Sequence, residues 1–164
     1  MIISLLSKSY EDLKKEITKN DRIVVWTCNN CIRFCGIGGR DKAKELADLL
    51  KKDGYNVIHI ETIGTSCVID LVEERKRHRA TAGIFANATA IIPLACEDGY
   101  EAVKYVFNDK KVVKVTKTLG LGVLTTDGAV LTAPFEDTGL KETDKGYRLR
   151  DAASKLGLYT DFSR

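Results

Sequence analysis

The chain has 164 residues, 44% of them hydrophobic and 30% charged, with 13 Gly and only 2 Pro. That balance excludes a mainly disordered or collagen-like chain, and the length suits one domain that buries roughly two-thirds of its unfolded surface without help from disulfides or metal. A net charge of +3 from 26 basic and 23 acidic residues is too balanced for a nucleic-acid binder, and the scattered aromatics form no stacking platform.

In chain order, residues 1–6 are apolar but too short for the hydrophobic part of an export signal, and no basic residue precedes them. No run approaches the ~20 apolar residues that span a bilayer, so no membrane association is expected and the default location is cytoplasmic. Residues 9–17 read as a helix with Ser9 as N-cap and Leu13 and Ile17 on one face. Ile23-Val24-Val25-Trp26 is a continuous apolar run typical of a strand buried on both sides. A helix over 41–52 follows, with Ala43, Leu46, Ala47, Leu49 and Leu50 inward and Gly54 as its stop.

A second strand over 56–60 leads to Cys67, and 68–78 reads as a helix with Val68, Leu71 and Val72 inward. The run 90–94 gives a third strand, a helix runs from Asp98 or Gly99 to Phe107, and 111–115 gives a fourth strand. Strand–helix–strand alternation with short connections points to an α/β fold, a parallel sheet flanked by helices. The last third differs. Asp127-Gly128 between two apolar triplets predicts a β-hairpin, and 150–156 a closing helix. No linker divides the chain, so 1–164 reads as a single α/β domain.

Five cysteines are the informative feature. Cys28, Cys31 and Cys35 form a C-x2-C-x3-C cluster directly after the first strand, Cys67 follows the second, and Cys96 follows the third. In a parallel α/β sheet the loops after the strands' carboxyl ends share one edge, where ligands bind. Three distant segments thus deliver all five thiols to one rim. In a reducing compartment an odd number of cysteines does not read as a disulfide framework. Thiolates favour iron–sulfur clusters and zinc. With a single C-x2-C, and His59 and His78 assigned to a strand and a helix, the pattern fits a 4Fe–4S cluster better than zinc, which remains the alternative. Taken singly, Cys67 and Cys96 also suit small buried hydrophobes. Cys96 is preferred over Cys67 as the fourth ligand because its strand is the more apolar and so the more central.

Gly36-Ile37-Gly38-Gly39 looks like a phosphate-cradling turn, but the dinucleotide fingerprint needs glycine where Asp41 stands. A carboxylate at that helix N-terminus also repels phosphate. Gly38 and Gly39 are instead expected to let backbone pass close to the cluster and offer amides to its sulfides. Arg33, inside the cysteine loop, is a candidate cation beside the cluster's negative charge. The charged run 73–79 reads as a solvated helix face.

The stretch 24–39, with Cys28-x2-Cys31-x3-Cys35 followed by Gly38-Gly39, resembles the N-terminal domain of the small iron–sulfur subunit of two-component methylenetetrahydrofolate reductases. The likeness continues through Thr65-Ser66-Cys67 and Leu94-Ala95-Cys96 and covers roughly residues 1–125. It implies a flavodoxin-like or Rossmann-like three-layer domain carrying a 4Fe–4S cluster and serving a flavin-containing redox protein that reduces methylenetetrahydrofolate. The family's cysteine-rich C-terminal segment is absent, since no cysteine follows Cys96, and Glu97 stands where the family commonly has glycine.

The expectation is therefore an electron-transfer or accessory iron–sulfur subunit working with a flavoprotein in one-carbon metabolism, its docking rim bordered by Arg33 and the hairpin around Asp127-Gly128. Two alternatives remain: an enzyme that binds substrate at an open cluster iron, and a zinc-stabilised interaction module.

Overall fold

Apolar runs that end in cysteines form the centre of the fold. The computed structural model describes residues 1–162, so the last two residues of the expected 1–164 domain lie outside it. The chain opens with β1 (Ile2–Leu6) and α1 (Tyr10–Lys14), the latter capped as expected by Ser9, whose hydroxyl accepts from the Asp12 N–H. Next come β2 (Arg22–Cys28), a one-turn α2 (Cys31–Phe34), α3 (Arg40–Lys52) and β3 (Asn56–Ile63). Two helices, α4 (Ile69–Arg77) and α5 (Ala82–Asn87), lead to β4 (Ala90–Leu94) and α6 (Glu97–Val106). The remainder is β5 (Lys111–Val112), β6 (Thr116–Thr125), β7 (Gly128–Pro134), β8 (Tyr147–Arg148) and α7 (Leu149–Leu156).

These strands form two four-stranded sheets. One is parallel, in the order β3-β2-β4-β5, and the other antiparallel, in the order β1-β6-β7-β8. Alternation along β2 builds two cores. Ile23 and Val25 join α3 (Ala43, Leu46, Leu50), Leu5 of β1, Leu119 of β6 and Ala152 of α7 in one buried cluster. Val24 and Trp26 face the other way, into Val72, Phe85, Val103 and Phe107, and the Trp26 ring lies about 6 Å from both phenylalanine rings. Ile92 and Ile91 of β4 divide in the same manner.

The α/β class, the parallel sheet and the C-terminal hairpin with its closing helix match the sequence expectations. The second sheet is a difference. Residues 2–6, read only as too short for a leader, form a strand paired with β6 more than a hundred residues later. The expected fourth strand over 111–115 shortens to two residues, because Val113 and Val115 turn into the core that joins the sheets. Val68 and Leu71, expected inward, are exposed, and only Val72 of that trio is buried. The helix begins one residue later than periodicity suggested, and its N-terminal turn sits at the surface. Among the described residues no helix is long and apolar enough to cross a membrane.

The amino-terminal end of the parallel sheet is tied by one carboxylate. Asp21 accepts hydrogen bonds from the Thr18 N–H (2.8 Å), the Thr89 hydroxyl (2.9 Å) and Lys111 Nζ (2.8 Å), joining the starts of β2, β4 and β5. Burial alone would raise the Asp21 carboxyl, but these donors outweigh it and hold its pKa at about 2. A depressed carboxylate stabilises the fold above its unfolded pKa, and that stabilisation is lost as pH falls through the folded value. Asp21→Asn should therefore cost about 2 kcal/mol at pH 7, with the difference from wild type shrinking between about pH 4 and pH 2 in denaturant titrations.

Candidate metal centre

All five cysteines lie at the carboxyl end of the parallel sheet. Cys28 is the last residue of β2, Cys31 opens α2 and Cys35 caps its far end. Cys67 lies between β3 and α4, and Cys96 is the N-cap of α6, two residues beyond β4. The chain leaves β2 to reach β3 on one side, then returns to β4 on the other. The loops after β2 and β4 diverge there, and such a reversal opens a crevice at the sheet edge.

The thiols sense one another. Cys31 and Cys96 lie near enough to Cys35 to disfavour its thiolate, as do Cys28 and Cys31 for Cys67, and Cys67 and Cys28 for Cys96. Every cysteine thus has at least two others within electrostatic reach. Burial pushes Cys35 up to about 11, and the neighbouring thiols add to the rise while the Ser4 N–H opposes it. Burial also raises Cys96, against an opposing contribution from the Gly99 N–H, and partial desolvation raises the more exposed Cys67. Access to solvent is graded: Cys28 and Cys35 are buried, Cys31 and Cys96 half-buried, and Cys67 exposed. Cys28 Sγ stands 3.7 Å from the Gly64 carbonyl oxygen, and Cys35 Sγ stands 3.6 Å from that of Ile2, so the antiparallel sheet also touches the site.

Hydrogen bonds and close packing fix each cysteine-bearing loop. Thr27 Oγ1 accepts from the Gly39 N–H at 2.8 Å, holding the turn after α2 against β2. A Cβ on Gly38 would stand 2.5 Å from Ile32, which accounts for glycine there. Buried Trp26 donates from Nε1 to Ser66 Oγ at 2.9 Å, anchoring the residue before Cys67. The turn at Cys96 is bound to β6: the Thr116 hydroxyl donates to the Ala95 carbonyl, and the Glu97 N–H donates to Thr118 Oγ1 at 3.0 Å. Thr118 Oγ1 in turn lies 3.1 Å from Ser4 Oγ of β1. Glu97 also pairs with Lys114 at 2.6 Å.

Other sequence candidates divide. Arg33 is exposed, with its guanidinium 5.7 Å from the centre of the Phe34 ring, and it lines a polar cleft together with Gly38 and Gly39. Asp127 and Gly128 of the hairpin do border the rim, sharing a cleft of about 970 Å³ with Phe34 and Cys35. The histidines are engaged elsewhere: His59 Nε2 lies 3.0 Å from Glu61 Oε2, and His78 Nδ1 accepts from the Ala80 N–H. Sequence reasoning missed the exposed apolar residues beside the thiols, Phe34 next to Cys35 and Val68, Ile69 and Leu71 just after Cys67. Helical periodicity had assigned two of them to the core.

Among the described residues, no three His, Cys, Asp or Glu side chains are gathered closely enough to hold a single metal ion. Comparison with protein-family models, curated proteins and solved structures gave no match.

Gly99 tests how tightly two of the loops are clamped. A Cβ there would stand 2.8 Å from Ala95 Cβ and 3.0 Å from Ser66 Cβ, both short stems that cannot swing away. Gly99→Ala should destabilise the fold by about 1–3 kcal/mol, as overpacking does, although alanine is the better helix former. Thermal unfolding checks this, and a stabilised variant would show that the helix and the Ser66 loop are free to separate.

Proposed function

We propose that the chain is an iron–sulfur protein in which Cys28, Cys31, Cys35 and one of Cys96 or Cys67 hold a 4Fe–4S cluster, acting as an electron-transfer or accessory subunit for a flavin-containing redox protein. The observation that carries this is the convergence of five thiols from three loops on one strand-end rim, with no histidine among them. Such a donor set is soft and sulfur-only, as iron–sulfur clusters require. Zinc bound at ~2.3 Å draws its four sulfurs to within about 4 Å of one another. A cluster binds each thiolate through a different iron and accepts wider spacing, which agrees with thiols that lie within electrostatic reach of one another yet are not gathered for one ion.

Cys96 is the preferred fourth ligand. Its strand is central and is buried throughout, whereas Cys67 follows the edge strand and is exposed. With β2–β5 counted as the first four strands, the order of the parallel sheet is 2-1-3-4, which supports a flavodoxin-like arrangement for this half of the fold. The resemblance to the small subunit of two-component methylenetetrahydrofolate reductases supplies the flavoprotein partner and the one-carbon setting.

When bound, a cluster of this type takes up and gives back single electrons at a potential set by its hydrogen bonds and burial. The chain's own part is to hold the thiols apart, shield Cys28 and Cys35 from water, and present a docking rim. Phe34, Val68, Ile69 and Leu71, each between 40% and 43% exposed, flank the thiols as the apolar contacts that a partner would cover.

Anaerobic purification with iron, zinc and sulfide analysis tests the cofactor. A brown protein with about four irons and four sulfides per chain is expected for one 4Fe–4S centre, and a colourless protein with stoichiometric zinc would overturn the assignment. Single Ser replacements of Cys28, Cys31 and Cys35 should each remove most of the visible absorbance. Full cluster content in all three variants would exclude these residues as ligands.

Docking is tested separately. Phe34→Glu and Leu71→Glu should each slow reduction by a flavoprotein about tenfold while iron content stays at the wild-type level, the scale expected for losing one apolar anchor. Stopped-flow absorbance under anaerobic conditions gives the rates, and unchanged rates in both variants would place the partner elsewhere.

A further inference from the structure

A polar cleft of about 950 Å³ lies between α3, the edge strand β3 and the cysteine loop. Five cations line it: Arg33 from α2, Arg40, Lys44 and Lys51 from α3, and Arg75 from α4. The α3 residues recur at intervals of four and seven, which sets them on one face of the helix, along the border of the buried stripe of Ala43, Leu46, Ala47 and Leu50. The cleft's three carboxylates do not neutralise this charge. Asp48 is taken by Lys44 at 2.6 Å. Glu61, only 5% exposed, is taken by Arg75 at 3.4 Å and lies 3.0 Å from His59.

Arg33, Arg40 and Lys51 are left without an ion-pair partner among the described residues, and they face only one unpaired carboxylate, Asp41. The chain's whole net charge is +3, so the local excess of two positive charges is most of it. Glycine keeps the space open. A Cβ on Gly39 would stand 3.0 Å from Arg33 Cγ and 3.4 Å from Asn29 Oδ1, and its φ of +86° favours glycine in any case. Asp41 keeps an anion off the glycine turn itself, as the sequence suggested, but one carboxylate does not cancel three free cations.

We propose that this cleft binds a small polyanion bearing phosphoryl or clustered carboxylate groups, gripped by Arg33 and Arg40 at the end nearest the glycine turn, with Lys51 about 16 Å further along α3. Its volume falls in the ~300–1,000 Å³ range of small-molecule sites. Arginine pairs bidentately with phosphate and carboxylate alike, so both chemistries fit the same groups. The site is independent of what the thiols carry. Because Asn29 and Arg33 belong to the cysteine loop, a bound anion adds negative charge directly beside the rim.

Isothermal titration calorimetry of the purified protein at low ionic strength, with pyrophosphate and with citrate as probes, tests the site. Saturable binding at one ligand per chain, weakening steeply with added salt, is expected for at least one probe. The tighter of the two identifies the source as phosphoryl or carboxylate. Arg33→Gln and Arg40→Gln should each weaken binding about tenfold, the loss of one charge-assisted contact, with unchanged thermal midpoints because both side chains are exposed. Lys155→Gln, on α7 and outside the cleft's lining, should bind as wild type. No saturable binding of either probe up to millimolar concentration, or equal weakening by Lys155→Gln, would overturn the proposal.

Discussion

Because β2 is hydrogen-bonded on both sides and covered on both faces, Ile23 to Trp26 have no solvent to turn towards, and that run is wholly apolar. The strand's last residue, Cys28, emerges where the neighbouring strands also end, so the thiol cluster follows directly from where the buried sheet stops. Trp26 and Thr27, the final residues before Cys28, each reach sideways into another loop: Trp26 to Ser66 and Thr27 to Gly39. The same strand that organises the core therefore also sets the spacing of the rim.

The antiparallel sheet gives that rim its far wall. Ser4 of β1, Thr118 of β6 and the N–H of Glu97 form a short polar chain at the join between the sheets, and the Ile2 carbonyl meets the Cys35 thiol. Buried polar groups of this kind are costly unless each finds a partner, and here each does: no buried side-chain nitrogen or oxygen among the described residues lacks one. The sheets are thus fastened by directional bonds where they flank the cysteines, and by apolar packing elsewhere.

Much of this was legible in the residues. Continuous apolar runs over 23–26 and 90–94 marked doubly covered strands, Asp127-Gly128 marked the hairpin, and cysteines just beyond strand ends marked the rim. What escaped detection was non-local or depended on surroundings. Residues 2–6 become a strand only by pairing with β6, and no local pattern encodes a partner over a hundred residues away. Val68 and Leu71 carry helical spacing, but exposure depends on what packs against α4, and its first turn lies at the rim with nothing over it. The polar cleft was hidden for a similar reason, since Arg75 joins Arg33 and Arg40 only once α4 and the cysteine loop are folded together.

The Asp21 tie and the thiol rim sit at opposite ends of the same parallel strands, separated by the seven residues of β2, or about 20 Å of extended chain. One pole is tied by a single carboxylate, and the thiols stand at the other. Exposed rim positions such as Phe34 and Leu71 can therefore change, and with them the rim's charge and apolar border, without loosening the girdle that keeps the strands in register, whereas Trp26, Thr27 and Gly99 have no such freedom.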